Sequence, residues 1–302
     1  MPEIVGENVK KARVFYFTGT GNSLIAARMI AEKIDGYIDP IASYRDEQSV
    51  LVKEDIIGIV FPVYASLIFG IPEIVKDFLN KIIYEKNKYY FIVCTHGGYG
   101  CPNAFPTIKN CCSIVKSKGS VIRGRFYVRF PLNSLDYDHI PVPIERDTSI
   151  ILDKAYKKIE LIADLILRQK SGNTFTQNIY NFTLGRIFSI TKKPIMKAMR
   201  KYAKEDGNFE LTYHQLVHLT DRSIKFINEK CNSCGICEKI CPVNNIQLKN
   251  GTPSWNHNCE ICFACDEWCP QKAIRHWGKF EGKDYHHPLV TVKDIIEQKC
   301  ER

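Results

Sequence analysis

The chain has 302 residues, enough for two domains that each bury a core. Its 45% hydrophobic and 25% charged residues are a globular composition. The net charge of +9 is too diffuse for a nucleic-acid surface: residues 1–170 hold 23 Lys+Arg against 19 Asp+Glu, residues 171–228 hold 9 against 4, and residues 229–302 hold 10 against 10.

The leading MPEIVGENVK lacks the apolar centre of a signal peptide, so a soluble, cytoplasmic protein is expected. Strands are predicted at residues 12–18, 55–61, 88–95 and 120–130, mostly as unbroken apolar runs, with a weaker strand near 37–41. Such runs suit strands buried on both faces of a parallel sheet. Helical patterns fall between them at about 22–34, 71–83 and 102–118, and a further one at 148–170. The alternation predicts one α/β domain over residues 1–170, a doubly wound five-stranded parallel sheet. The uncharged stretch 56–72 is short for a membrane span and holds Gly58, Pro62, Ser66 and Gly70, so it reads as a buried strand and loop. Residues 171–223 form a basic connector, partly helical. From 182 to 204 it carries Arg186, Lys192, Lys193, Lys197, Arg200, Lys201 and Lys204 with no acid, and Pro194 is expected to divide it. A cysteine-rich domain with a C-terminal extension occupies 224–302.

Between the first strand and first helix lies TGTGNS, formed by Thr18, Gly19, Thr20, Gly21, Asn22 and Ser23. A glycine turn that opens a helix offers backbone N–H groups at the positive end of the helix dipole, which is an anion site. The loop lacks the lysine of a mononucleotide P-loop. It also lacks the third glycine of a dinucleotide fingerprint, where Leu24 stands. What remains is a terminal phosphate held by hydroxyls and amides. The motif resembles the flavodoxin family, whose TGTGN[ST] loop holds the phosphate of FMN. That resemblance implies two further loops around the flavin ring, placed here at 61–72 with Pro62, Val63 and Tyr64, and at 95–104 with Thr95, His96, Gly97, Gly98, Tyr99 and Gly100. Tyr64 and Tyr99 would face the ring, where an electron-rich aromatic disfavours the anionic reduced flavin, and His96 is a lesser candidate for a hydrogen bond to it. A proline-rich loop at 130–145 would cover the ring. The domain departs from the usual flavodoxin in being net positive.

The chain has 13 cysteines, an odd count for a disulfide framework. Eight of them form an internal repeat: CNSCGICEKICP places Cys231, Cys234, Cys237 and Cys241, and CEICFACDEWCP places Cys259, Cys262, Cys265 and Cys269. Zinc needs neither the third cysteine of each triplet nor the trailing Cys-Pro. The repeat resembles the bacterial two-cluster ferredoxins over about residues 224–278, with an Asn-Gly hairpin between the halves. In that pattern three cysteines hold one [4Fe–4S] cluster and the fourth crosses to the other. It implies one set of Cys231, Cys234, Cys237 and Cys269 and another of Cys259, Cys262, Cys265 and Cys241. Cys94, Cys101, Cys111, Cys112 and Cys300 receive no redox role.

The whole chain resembles the fused flavodoxin–ferredoxin proteins of anaerobes. This implies electron transfer between FMN and two [4Fe–4S] clusters, with an acidic ferredoxin or another carrier as partner. The alternative is a terminal FMN-dependent reductase of a quinone, nitro compound or metal chelate, fed by the clusters. A dedicated NAD(P)H domain is not visible. The basic connector suits docking of an acidic partner, contact with an anionic membrane surface, or simply packing of the two domains.

Overall fold

The computed structural model describes residues 12–64, 70–97, 104–132, 147–172, 192–207, 209–277 and 284–299. Five parallel strands form the main sheet: β1 (Ala12–Tyr16), β2 (Gly36–Pro40), β4 (Ile56–Pro62), β6 (Tyr89–His96) and β7 (Ile122–Arg129), in the order β2-β1-β4-β6-β7. Counted within the sheet this is the 2-1-3-4-5 order of the flavodoxin-like fold. β4 and β6 are buried on both faces except at Pro62, as their unbroken apolar runs require. Two short strands, β3 (Val50–Leu51) and β5 (Ile82–Ile83), pair with each other outside the sheet. They carry no periodicity that the sequence could display.

Helices α1 (Asn22–Lys33) and α4 (Thr148–Leu167) pack together over one face, and α2 (Glu73–Lys81) and α3 (Phe105–Ser117) over the other. Asp147 caps α4 by accepting hydrogen bonds from the amides of Ser149 and Ile150. In the connector, α5 (Lys192–Ala203) and α6 (Tyr213–Leu219) bury Met199, Ala203, Tyr213, Leu216 and Val217 against Ile261 and Phe263 of the cysteine-rich region. Pro194 sits in the first turn of α5, where a missing N–H costs nothing, and so does not divide the helix described. Residues 173–191 lie outside the described residues.

The cysteine-rich region has a pseudo-repeated path. β8 (Lys225–Phe226) pairs with β11 (Ile274–Arg275), and β9 (Ile246–Lys249) with β10 (Thr252–Trp255). Asn250 and Gly251, both at positive φ, make the expected hairpin turn. Short helices α7 (Ile236–Ile240) and α8 (Ala264–Glu267) each follow the second cysteine of a motif. Ile240, Ala264 and Trp268 from this region, with Val290 and Ile295 from the C-terminal extension, join the same core as β1, α1 and α4. Full burial of an apolar side chain is worth roughly 1.5–3 kcal/mol, so the two regions are held by a shared core. α9 (Val292–Ile296) lies in that extension, and the Thr291 and Asp294 side chains form its capping box. Among the described residues, no helix is long and apolar enough to cross a membrane.

Candidate functional site

The TGTGNS loop stands at the carboxyl edge of the sheet, as the strand–turn–helix pattern requires. Gly21 adopts φ 100°, a left-handed conformation open to glycine, and turns the chain into α1. Its amide donates to Thr18 Oγ1 at 3.0 Å. Thr18, Thr20 and Ser23 are buried, and Ser23 Oγ lies 2.7 Å from Thr95 Oγ1 at the end of β6. These hydroxyls, at the N-terminus of α1, are the donor set a phosphate monoester needs without a cation.

The residues expected beside the ring gather at the same edge. Pro62 ends β4, and the Val63 amide donates to the Thr95 carbonyl at 2.8 Å. Tyr64 bridges to Gly70 and sets its ring edge-on to Phe17, with centroids 6.3 Å apart. His96 is the last residue of β6 and is buried, its ring 6.0 Å from that of Tyr127. Gly97 lies against Leu132. Gly98, Tyr99 and Gly100, and the proline-rich loop from residue 133 onward, lie outside the described residues.

None of the eight motif cysteines forms a disulfide, and the fold brings them into two quartets. Cys231, Cys234, Cys237 and Cys269 line one cavity, with Asn232, Ser233 and Gly235 between them. Cys265 has Cys262, Cys259 and Cys241 as its charge neighbours. The last cysteine of each motif therefore sits with the other motif's triplet. Among the described residues, no three His, Cys, Asp or Glu side chains converge as ligands of a single ion.

The backbone repeats across the two motifs. Ser233 and Ile261, Gly235 and Phe263, and Asn244 and Lys272 are pairs at positive φ, each 28 residues apart. Alternation of right- and left-handed residues turns amides inward, the concave geometry that suits an anionic cluster. Amides already reach sulfur: Asn245 to Cys241 at 3.2 Å, Ala273 to Cys269 at 3.3 Å and Ile261 to Cys259 at 3.3 Å. Burial pushes the Cys237 thiol up to about 11 and the Cys262 thiol up to about 12. Burial thus favours neutral thiols here, and a cationic metal group would be what holds these sulfurs as thiolates. The residues thus fit iron–sulfur ligation.

Cys234 is the exposed member of the first, outer quartet. The inner quartet faces the phosphate loop. A Cβ on Gly19 would lie 2.0 Å from the Cys262 carbonyl oxygen, so this contact admits glycine alone. Tyr64 lies near Cys262, Glu260 and Cys259. Glu260, 4% exposed, accepts hydrogen bonds from the amides of Glu73 and Ile74, both at 3.0 Å. Its burial, opposed by those two amides, raises its carboxyl to about 8.

Several residues that close the site are not among the motif ligands. Trp268 Nε1 donates to the Gly19 carbonyl at 3.0 Å. The C-terminal strap, residues 284–299, runs across the loop. Gln298 pairs with both the amide and the carbonyl of Thr18, at 3.2 and 3.1 Å. The His287 amide donates to the Thr20 carbonyl at 2.8 Å, and the Tyr285 hydroxyl to Asn22 Oδ1 at 2.7 Å. Arg28 on α1 pairs with Asp294. The one signal available in sequence was the Thr291…Asp294 spacing, which marks a helix start and says nothing of where that helix docks.

A family model described as a 4Fe-4S binding domain matches residues 224–247. No curated protein matches the chain. Among solved structures, a flavodoxin of Streptococcus pneumonia TIGR4 is 14% identical, covering 51% of this chain and 98% of its own, with a TM-score of 0.33. A putative flavoprotein from Bacteroides uniformis is 20% identical over 41% of this chain and 92% of its own, with a TM-score of 0.31. Flavodoxin 1 from Bacillus cereus is 17% identical over 49% and 97%, with a TM-score of 0.28. The strand order, rather than these superpositions, carries the fold.

Proposed function

We propose that the chain transfers electrons between FMN, held by Thr18–Ser23, and two [4Fe–4S] clusters, held by Cys231, Cys234, Cys237 and Cys269 and by Cys259, Cys262, Cys265 and Cys241. The observation that carries this reading is the direct seating of the inner thiol loop on the phosphate loop and beside Tyr64. FMN, when bound, supplies exchange between one- and two-electron chemistry, and clusters supply single electrons. The exposed Cys234 marks the outer quartet as the port to other proteins.

An acidic redox protein is the partner this surface fits. α5 buries Met199 and Ala203 while Lys193, Lys197, Lys201 and Lys204 remain exposed. The helix is therefore both packing element and basic surface. Such charge acts mainly on association rate and is screened by salt. Protein purified without oxygen should contain one FMN and about eight iron atoms. Its reduction by an acidic ferredoxin should slow as salt is raised, while reduction by dithionite should not show the same loss. FAD, or zinc without iron, would refute the cofactor assignment. Equal salt dependence of the two reductants would refute the docking assignment.

A further inference from the structure

α2 begins after Pro72 and has no side-chain cap of its own. A helix start leaves amides unsatisfied, and a carboxylate there is favoured by hydrogen bonding and by the helix dipole. The cap comes from 186 residues away: Glu260 Oε1 accepts from the Ile74 amide and Oε2 from the Glu73 amide, each at 3.0 Å. Glu260 lies between Cys259 and Cys262 of the inner quartet, and Tyr64 and Gly70 lie in the chain just before α2. The same carboxylate therefore joins the inner-quartet loop to the helix that follows the ring-side loop. A second tie reaches the same turn, because His214 Nδ1 on α6 lies 2.6 Å from Glu73 Oε2.

We propose that Glu260 is a positioning residue: by capping α2 with both oxygens it sets the inner quartet against the flavin side of the sheet, and so sets the rate of exchange between inner cluster and flavin. This rests on the electron-transfer reading above. A capping role alone would contribute only to stability, typically about 1 kcal/mol. A positioning role must appear in the transfer rate, since electron transfer between two centres weakens as their separation grows.

The test compares the full-length, cofactor-loaded parent with Glu260→Gln, Glu260→Ala and Glu260→Ala combined with Pro72→Asp. Iron and flavin content, melting temperature, cluster potentials and the cluster-to-flavin transfer rate are read for each. Gln and Ala both remove the ionisable carboxyl, but Gln keeps one acceptor, so a rate difference between them reports geometry. The expected order is parent, then Gln, then Ala, with Ala slower severalfold at unchanged cofactor content. Asp at position 72 caps α2 locally, and should restore melting temperature while leaving transfer slow. Recovery of the rate in that double variant would reduce Glu260 to a cap and overturn the assignment. So would parent-like rates in both single variants, or loss of iron from both. A parent that shows no cluster-to-flavin transfer would instead refute the functional reading itself.

Discussion

Cys241 and Cys269 each close a motif just after a short helix, α7 or α8, and each thiol then belongs with the other motif's triplet. Nearness in the chain alone would place each with its own triplet. The geometry therefore makes a crossed prediction: Cys241→Ser should damage the cluster of Cys259, Cys262 and Cys265 and spare that of Cys231, Cys234 and Cys237. Cys269→Ser should do the reverse. Low-temperature electron paramagnetic resonance that resolves the two clusters checks this, and loss of the sequence-local cluster in each case would overturn the pairing. The crossing was legible in the cysteine spacing, because that spacing repeats intact. Glu260, which lies inside the second motif, was not, because its role comes from the amides of Glu73 and Ile74 far away in the chain.

At the level of elements, the five main strands and the helices α1 to α4 were legible because each carries its own apolar pattern or cap. The strap was not, since its residues find partners only in the folded chain. His287 illustrates how it is held. It is fully buried, its Nδ1 accepts from the Leu289 amide at 3.2 Å, and its Nε2 lies 3.1 Å from the Tyr156 hydroxyl on α4. Burial, with His286 nearby, lowers its pKa from 6.5 to about 4. Between these values the unfolded chain binds the extra proton and the folded chain does not. The His287 contribution is thus complete above about pH 6.5 and is lost as pH falls towards 4, by at most on the order of 3 kcal/mol. In flavin-free protein, the parent should lose more stability than His287→Gln when pH is lowered from 7.5 to 5.5, as measured by urea unfolding. Parallel losses in parent and variant would show that the strap is not held by a neutral His287.

Across the whole molecule, the two halves looked separable in sequence, because a basic connector divides a nucleotide-type domain from a cysteine repeat. In the folded chain Ile240, Ala264 and Trp268 complete the core of β1, α1 and α4, joined by Val290 and Ile295. Connector helices α5 and α6 brace Ile261 and Phe263 on either side of Cys262. The phosphate loop is therefore an internal junction rather than an exposed rim, and this was illegible because TGTGNS reads the same in either setting. Such packing makes the inner quartet and the TGTGNS loop one unit. The most direct measurement is flash or pulse reduction of the clusters in the holoprotein, following flavin absorbance over a range of protein concentrations. Flavin reduction should follow cluster oxidation as a first-order process whose rate constant does not change with concentration. A rate that rises in proportion to protein concentration, or a flavin that stays oxidised while the clusters remain reduced, would contradict the account.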